Sequence, residues 1–352
     1  MEITKENRQW LDDLHLNHPV VIAGPCSAET EEQVLKIAHS LKDTDVSFFR
    51  AGIWKPRTSP NSFDGVGSIG LPWLQRVRKS LGLRVGTEVA KYEHIISVTE
   101  AEMDFVWLGA RTVTNPFAVQ EIADAFAKCN VSMPVFVKNP VIPDIALWIG
   151  AIERLRRAGI TQIVAVHRGF YMNDSIYRNS PQWQVPIEFK RRMPDVKLLC
   201  DPSHIAGDSA LVETIIRQAS KLGFDGLMVE VHNDPQQALS DKQQQITPLQ
   251  LKRILGRVRF GYNDDNTERL SVFRAQIDEL DRSLIDIIVR RMRLSDEIGE
   301  YKRDNDIAVF QPARYEELLD NIAVYAMQKN LNPDFAKQLV ELIHQESINR
   351  QL

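Results

Sequence analysis

Residues 48–67 read FFRAGIWKPRTSPNSFDGVG, a strand that breaks into a stiff basic loop. Val46, Phe48 and Arg50 alternate with Ser47, Phe49 and Ala51, so a strand here puts Arg50 on a different face from Phe49. Gly52 ends the alternation. The two prolines of KPRTSP then exclude a helix, because each holds its predecessor in extended backbone. Arg50, Lys55 and Arg57 supply cations and Thr58 a hydroxyl, with no acid before Asp64. A rigid loop of this chemistry predicts an anion site for phosphate or carboxylate.

The same grammar, an apolar segment ending in Gly, Pro or a polar cluster and then helical periodicity, recurs on both sides. Strands are expected at Val20–Cys26, Val46–Ala51, Arg84–Val89, Phe105–Gly109, Pro134–Lys138, Gln162–His167, Lys197–Cys200 and Gly226–Val231. Between them lie amphipathic helices, among them Glu31–Leu41, Leu71–Leu81, Pro116–Phe126, Asp144–Ala158 and Ser209–Leu222. Strand–helix alternation means right-handed βαβ units and a parallel sheet. Eight units in roughly 250 residues fit a closed (β/α)8 TIM barrel better than an open doubly wound sheet. GPCSAE, which follows the first strand, is also not a dinucleotide fingerprint. Residues 1–18 read as a short polar helix.

Near residue 256 the pattern changes. GRVRFGYNDDNTER reads as a linker, so the chain divides into 1–255, a linker at 256–268, and 269–352. Beyond the linker there are only helices. Leu270–Arg303 is sustained by Ile277, Leu280, Leu284, Ile288 and Ile298, and Gln311–Lys329 follows. Pro333–Leu352 completes the set, with Asn332 as its cap. An all-α three-helix unit with one very long helix cannot bury its apolar faces alone and is expected to dimerise.

Composition bounds the function. The 352 residues carry a net charge of −4 and 43% hydrophobic residues, an ordinary soluble balance that argues against general nucleic-acid binding. No apolar run approaches a membrane span, and MEITKENRQW is no signal peptide, so no membrane association and a cytoplasmic location are expected. Three dispersed cysteines make no disulfide framework.

Barrel chemistry collects at the C-terminal ends of the strands. There stand Cys26; Arg50 with Lys55 and Arg57; Glu88; Arg111; Lys138; His167 and Arg168; Asp201 with His204; and Glu230, with Asp241 in the loop beyond. Six cations on one mouth (Arg50, Lys55, Arg57, Arg111, Lys138, Arg168) repel one another unless an anion sits among them. Cys26, His204, Glu230 and Asp241 suit a divalent ion of borderline softness, such as Mn²⁺, Fe²⁺, Co²⁺ or Zn²⁺. Cys129 and Cys200 read as core thiols, His167 as structural or supporting, and His232 has no role.

These residues carry a resemblance. GPCSAE at 24–29, KPRTSP at 55–60, GAR at 109–111, VK at 137–138, HRG at 167–169, DPSHIAG at 201–207 and GLMVEVHNDPQQALSD at 226–241 resemble 3-deoxy-D-arabino-heptulosonate 7-phosphate (DAHP) synthase, type I beta, over about residues 18–255. The resemblance implies condensation of phosphoenolpyruvate with erythrose 4-phosphate on a divalent metal, Mn²⁺ first among the candidates. It implies Cys26, His204, Glu230 and Asp241 as ligands. Arg50, Lys55, Arg111, Lys138 and Arg168 would contact phosphoenolpyruvate, and Pro56, Arg57 and Thr58 erythrose 4-phosphate. Lys138, Glu88 and His204 are the expected catalytic residues, Glu88 with Lys138 moving protons on the attacking water. The runner-up is the related 3-deoxy-octulosonate 8-phosphate synthase, which has KANRS-type sequence where this chain has KPRTS. The segment before the first strand is too short for the ferredoxin-like regulatory domain of some relatives.

Residues 270–351 resemble the all-helical class of chorismate mutase through LSVFRAQIDELDRSLIDIIVRR, EIGEYK, PARYEELL and ESINRQ. Arg291 and Lys302, eleven residues apart, share a helix face, whereas Arg274 points elsewhere. The resemblance implies a chorismate site of Arg274 from the partner subunit with Arg291, Lys302, Arg314, Ser347 and Gln351, of which Lys302 and Gln351 are catalytic. Tyr315 stands where the family usually has a Glu that contacts the ring hydroxyl, and Gln311 and Tyr315 are the residues placed to compensate. A homodimer or higher homo-oligomer is expected, with prephenate as inhibitor of the barrel. The alternative for this unit is a regulatory and dimerising module without turnover.

Overall fold

The structure, a computed structural model, describes residues 10–11, 19–56, 63–172, 176–261 and 268–352. The chain forms two compact units, Met1–Asn263 and Asp264–Leu352.

Eight parallel strands close the first unit into a barrel: β1 (Val20–Gly24), β2 (Phe48–Arg50), β3 (Arg84–Val89), β4 (Phe105–Leu108), β5 (Val135–Lys138), β6 (Ile163–His167), β7 (Lys197–Cys200) and β8 (Gly226–Glu230). Closure is made by β8 on β1, from Val20 beside Gly226 to Gly24 beside Glu230. The helices are α1 (Glu31–Leu41), α2 (Leu71–Leu81), α3 (Tyr92–Glu100), α4 (Ala110–Val113), α5 (Pro116–Cys129), α6 (Ile145–Arg157), α7 (Gln184–Arg192), α8 (Pro202–Ala206), α9 (Ser209–Lys221) and α10 (Pro248–Leu255). Local chemistry starts several of them: Thr30, Asn115, Asp144 and Asp208 each accept first-turn N–H groups, and Thr247 with Gln250 forms a capping box.

Two apolar layers follow from the period of two along each strand. One side of the sheet packs beneath the helices through residues such as Val21, Phe49, Val106, Val137 and Leu198. The other fills the barrel with Ile22, Phe48, Phe105, Trp107, Phe136, Val166, Leu199 and Met228, joined by Leu11 from ahead of β1. Phe48, Phe105 and Phe136 meet edge-to-face with ring centroids 5.3–5.7 Å apart. The inward register then continues upward. Two residues beyond Phe48, Phe136, Val166, Leu199 and Met228 stand Arg50, Lys138, Arg168, Asp201 and Glu230. The apolar plug thus ends in a charged floor, which is where a site belongs in this architecture.

Most strands are a residue or two shorter than expected. β1 stops at Gly24 (φ +150°), where a Cβ would lie 2.0 Å from the Arg50 carbonyl oxygen; only glycine lets β1 and β2 approach this closely. Helices α3, α4, α7, α8 and α10 are not among those named from the sequence. They are short, and α3 buries only Ile95 and Val98, too few apolar positions to set a period. The expected helix at 1–18 falls, apart from Trp10 and Leu11, outside the described residues.

The described residues of the second unit form three helices, α11 (Glu268–Asp304), α12 (Pro312–Gln328) and α13 (Pro333–Gln351). Asn332 caps α13 by accepting from the Asp334 and Phe335 N–H groups. Helix α11, 37 residues and therefore about 55 Å long, has every residue from Leu270 to Ile287 exposed. No described helix of either unit is long and apolar enough to cross a membrane.

Candidate active site

Lys55, Pro56, Glu88, Arg111, Lys138 and Arg168 line one cavity of about 80 Å³ at the C-terminal ends of the strands, together with Arg178, His204 and Asp241. Cys26, Arg50 and Glu230 are buried against its floor. Arg57 and Thr58, the expected aldose contacts beside Pro56, lie outside the described residues.

Along the sequence the cations form a like-charge cluster. The structure interleaves them with acids. Arg50 Nη2 donates to Glu230 Oε1 at 3.0 Å with both side chains 0% exposed, and the guanidinium lies 4.8 Å over the Trp107 ring. Among the described residues its buried Nε and Nη1 meet no hydrogen-bond acceptor, an arrangement that asks for one from a ligand. Lys138 Nζ donates to Asp201 Oδ2 at 2.6 Å. Lys55 Nζ donates to the Cys26 carbonyl at 2.9 Å and stands 3.8 Å from Glu88 Oε2. Glu88 is fixed from the other side by the Trp107 indole N–H at 3.2 Å, and a Cβ on Gly109 would come within 2.2 Å of its Oε1. Arg168 is held by Asn139, which accepts its N–H at 2.7 Å, and by Asn179, which accepts from its Nη1 at 2.8 Å.

Burial sets the protonation states, and the partners correct them. Burial pushes Arg168 down to about 10 and lowers Lys138, the latter against the pull of Asp201. Burial also opposes ionisation of Asp201, yet neighbouring His204 and Lys138 hold its carboxyl well below the usual range. Glu230 is likewise held low against burial, by His204 and Arg50. His167 sits among Trp148, Phe170, Trp183 and Phe224, and burial drives it down to about 3. It is a neutral packing residue, outside the cavity lining.

Cys26, Glu230 and Asp241 present ligand atoms all within 4.8 Å of one another. Cys26 Sγ is 3.2 Å from Asp241 Oδ2. The fourth expected ligand, His204, is not brought into that set: Nε2 is 3.8 Å from Glu230 Oε1, while Nδ1 lies 2.8 Å from Asp201 Oδ2. Burial, then Glu230, push the Cys26 thiol up to about 12. Two carboxylates around a buried thiol are a donor set that fits a divalent, thiophilic cation.

Asp201, at the rim in the sequence but without an expected task, is marked by its inward register two residues beyond Leu199. Arg178 lies outside the expected set, and its Nη1 donates to Asp241 Oδ1 at 2.8 Å. Nothing local marks that arginine.

In the helical unit Arg291 and Lys302 both reach α13. Arg291 Nη1 donates to Ser347 Oγ, and Lys302 Nζ donates to Val309 O at 2.6 Å and Gln351 Oε1 at 3.3 Å. Ser347 and Gln351 are buried, and Gly299 admits Gln351 because a Cβ there would stand 3.0 Å from its Cγ. Arg274 is exposed on the first half of α11, and Arg314 pairs with Glu317 at 2.7 Å. Tyr315 stacks on His344, centroids 4.8 Å apart. His344 was missed, although it shares the α13 face of Ser347 and Gln351 at i, i+3 and i+7. Burial, then Arg291 and Lys302, lower its pKa.

Residues 15–259 match the DAHP synthetase I family, and residues 273–352 match chorismate mutase type II. A phospho-2-dehydro-3-deoxyheptonate aldolase of Thermotoga maritima is 35% identical over 227 residues, 64% of this chain and 64% of that protein's length. The chain thus spans under two thirds of that relative. A 2-dehydro-3-deoxyphosphooctonate aldolase of Nitratidesulfovibrio vulgaris is 30% identical over 241 residues, covering 63% of this chain and 84% of its own. The crystal structure of the Thermotoga maritima DAHP synthase superposes with TM-score 0.61 at 30% identity, covering 67% of each chain.

Proposed function

The chain belongs to the DAHP synthetase I family, and from that premise we propose a bifunctional enzyme that condenses phosphoenolpyruvate with erythrose 4-phosphate in the barrel and rearranges chorismate to prephenate in the helical unit. The observation that carries the first activity is the charged floor and the cation-lined cavity at the strand ends.

In this reading Arg50, Lys55, Arg111, Lys138 and Arg168 hold the phosphate and carboxylate of phosphoenolpyruvate. Pro56, Arg57 and Thr58 hold the aldose phosphate. Cys26, Glu230 and Asp241, with His204 beside them, would hold a divalent ion, Mn²⁺ before Fe²⁺, Co²⁺ or Zn²⁺, which supplies Lewis-acid polarisation of the aldehyde. The enol C3 adds to the aldehyde carbon, water adds at C2, and the phosphate leaves. Glu88 and Lys138 move the proton of that water, Glu88 held by Trp107 and Lys55 and Lys138 by Asp201. Glu88→Gln should therefore cut synthase turnover by about a hundredfold with little change in the Michaelis constants. Full turnover in that variant would remove Glu88 from the role.

The chorismate reaction needs cations on two carboxylates and donors at the ether oxygen. Arg291, Lys302, Ser347 and Gln351 form one cluster that suits the task. The partner's Arg274 would complete it. Phe273, Ile277, Leu280, Leu284 and Ile287 recur along α11 at alternating steps of four and three and are all exposed, a seam for a second copy of this chain.

The deciding experiment strips the protein with chelator, restores single metals, and offers four- and five-carbon aldose phosphates. Expected is loss of condensation on chelation, recovery with Mn²⁺, and preference for the four-carbon aldose. Preference for the five-carbon aldose would favour octulosonate chemistry, and undiminished metal-free turnover would overturn the metal assignment.

A further inference from the structure

Beyond Asp241 the chain turns and runs back beside the end of β8. Asp241 takes the turn at φ +47°, and the Gln244 N–H donates to its carbonyl at 3.2 Å. Ile246 N then donates to Glu230 O at 3.1 Å, His232 N to Ile246 O at 3.0 Å, and Val231 bridges Ile246 in parallel. Gln244 closes the turn and Gln245 leads into the bridge at Ile246, and their amides end on different partners. Both are 1% exposed.

Their hydrogen bonds end on the proposed metal donors. Gln244 Nε2 donates to Glu230 Oε2 at 2.6 Å, while its Oε1 accepts from Arg178 Nη1, the same nitrogen that donates to Asp241 Oδ1. Gln245 Oε1 accepts the Cys26 N–H at 3.1 Å, and its Nε2 donates to Ser240 O at 2.9 Å. Arg50 holds the other oxygen of Glu230. Each donor residue is therefore pinned by a group that is not itself a donor.

We propose that Gln244 and Gln245 are positioning residues that hold Glu230, Asp241 and Cys26 in register before a cation arrives; the inference rests on the metal-centre reading above. Gln244 fixes the Glu230 carboxylate and ties it, through Arg178, to Asp241. Gln245 fixes the Cys26 backbone. An amide suits both places because it donates and accepts without charge. A carboxylate at 244 would set a further negative group against Glu230, and an apolar side chain would leave a buried carboxylate oxygen without its donor.

The test titrates the full-length, metal-free protein with Co²⁺ and follows the cobalt–thiolate charge-transfer absorption, with Cys26→Ser as the control that removes the band. Gln244→Met should keep the band and a cooperative thermal transition but bind Co²⁺ about 10- to 100-fold more weakly, the size of effect that outer partners exert on metal affinity. Gln244→Asn, which keeps the amide and withdraws it by one methylene, should weaken binding at least about tenfold, and it stands in if the methionine variant fails to fold. Affinity within about twofold of wild type in a folded variant would overturn the positioning role while leaving the donor assignment intact. A wild-type protein with no thiolate band would overturn the donor assignment, and the positioning role with it.

Discussion

Lys138→Met should lower the synthase turnover number by about a hundred- to a thousandfold, the range expected when a preorganised charge is removed from a site that excludes water. Lys138 is 4% exposed, at the inward end of β5, with its ammonium 2.6 Å from a carboxylate that is wholly buried. Removing it takes a cation from the phosphoenolpyruvate pocket and also leaves Asp201 without that partner. The second effect costs about 3–5 kcal/mol when a buried pair is broken from one side, so stability has to be separated from chemistry. Lys138→Met combined with Asp201→Asn does this: the pair should recover most of the thermal stability and none of the turnover. Chorismate rearrangement, proposed for the other compact unit, should stay within about twofold of wild type. Synthase turnover within threefold of wild type in Lys138→Met would remove Lys138 from the catalytic set.

The second large effect is expected at Lys302. Lys302→Ala should reduce chorismate rearrangement by about a hundred- to a thousandfold and leave the condensation rate untouched in the absence of prephenate. The side chain is braced by Val309 O and by Gln351 Oε1, which turns the Gln351 amide nitrogen into a second donor beside the ammonium. Charge and donor are lost together. We expect prephenate to inhibit the wild-type synthase, since its dicarboxylate fits the same cations, and Lys302→Ala should weaken that inhibition in step with the loss of turnover. Wild-type protein that binds chorismate without converting it would make the helical unit a regulatory module. A synthase rate unchanged at saturating prephenate would end the regulatory proposal.

The barrel was legible because its signals are local. Apolar periodicity and the glycine and proline breaks each act within a few residues, and strands β3 and β7 and helices α1 and α2 fall where the sequence puts them. The step from an apolar inward residue to a charged one two places later is equally local, and it put Arg50, Lys138, Arg168 and Glu230 at one rim. Short α3, with two buried apolar residues, lacked enough repeats to show a period.

What the cations face was decided only in three dimensions. Arg50 meets Glu230 across 180 residues, Lys138 meets Asp201 across 63, and Cys26 meets Asp241 across 215. Such pairings leave no spacing in the sequence, because closing the sheet and not chain proximity brings the partners together. The same holds for Gln244, Gln245 and Arg178, ordinary polar residues until the return alongside β8 buries the two amides against the donors. The architecture, the rim and the types of charge upon it follow from periodicity and strand-end chemistry, which are written along the chain. Tertiary structure decided which charges neutralise one another, which donors remain for a ligand, and that His204 turns one nitrogen to Asp201 and the other toward Glu230, since burial and distance are properties of the closed barrel alone.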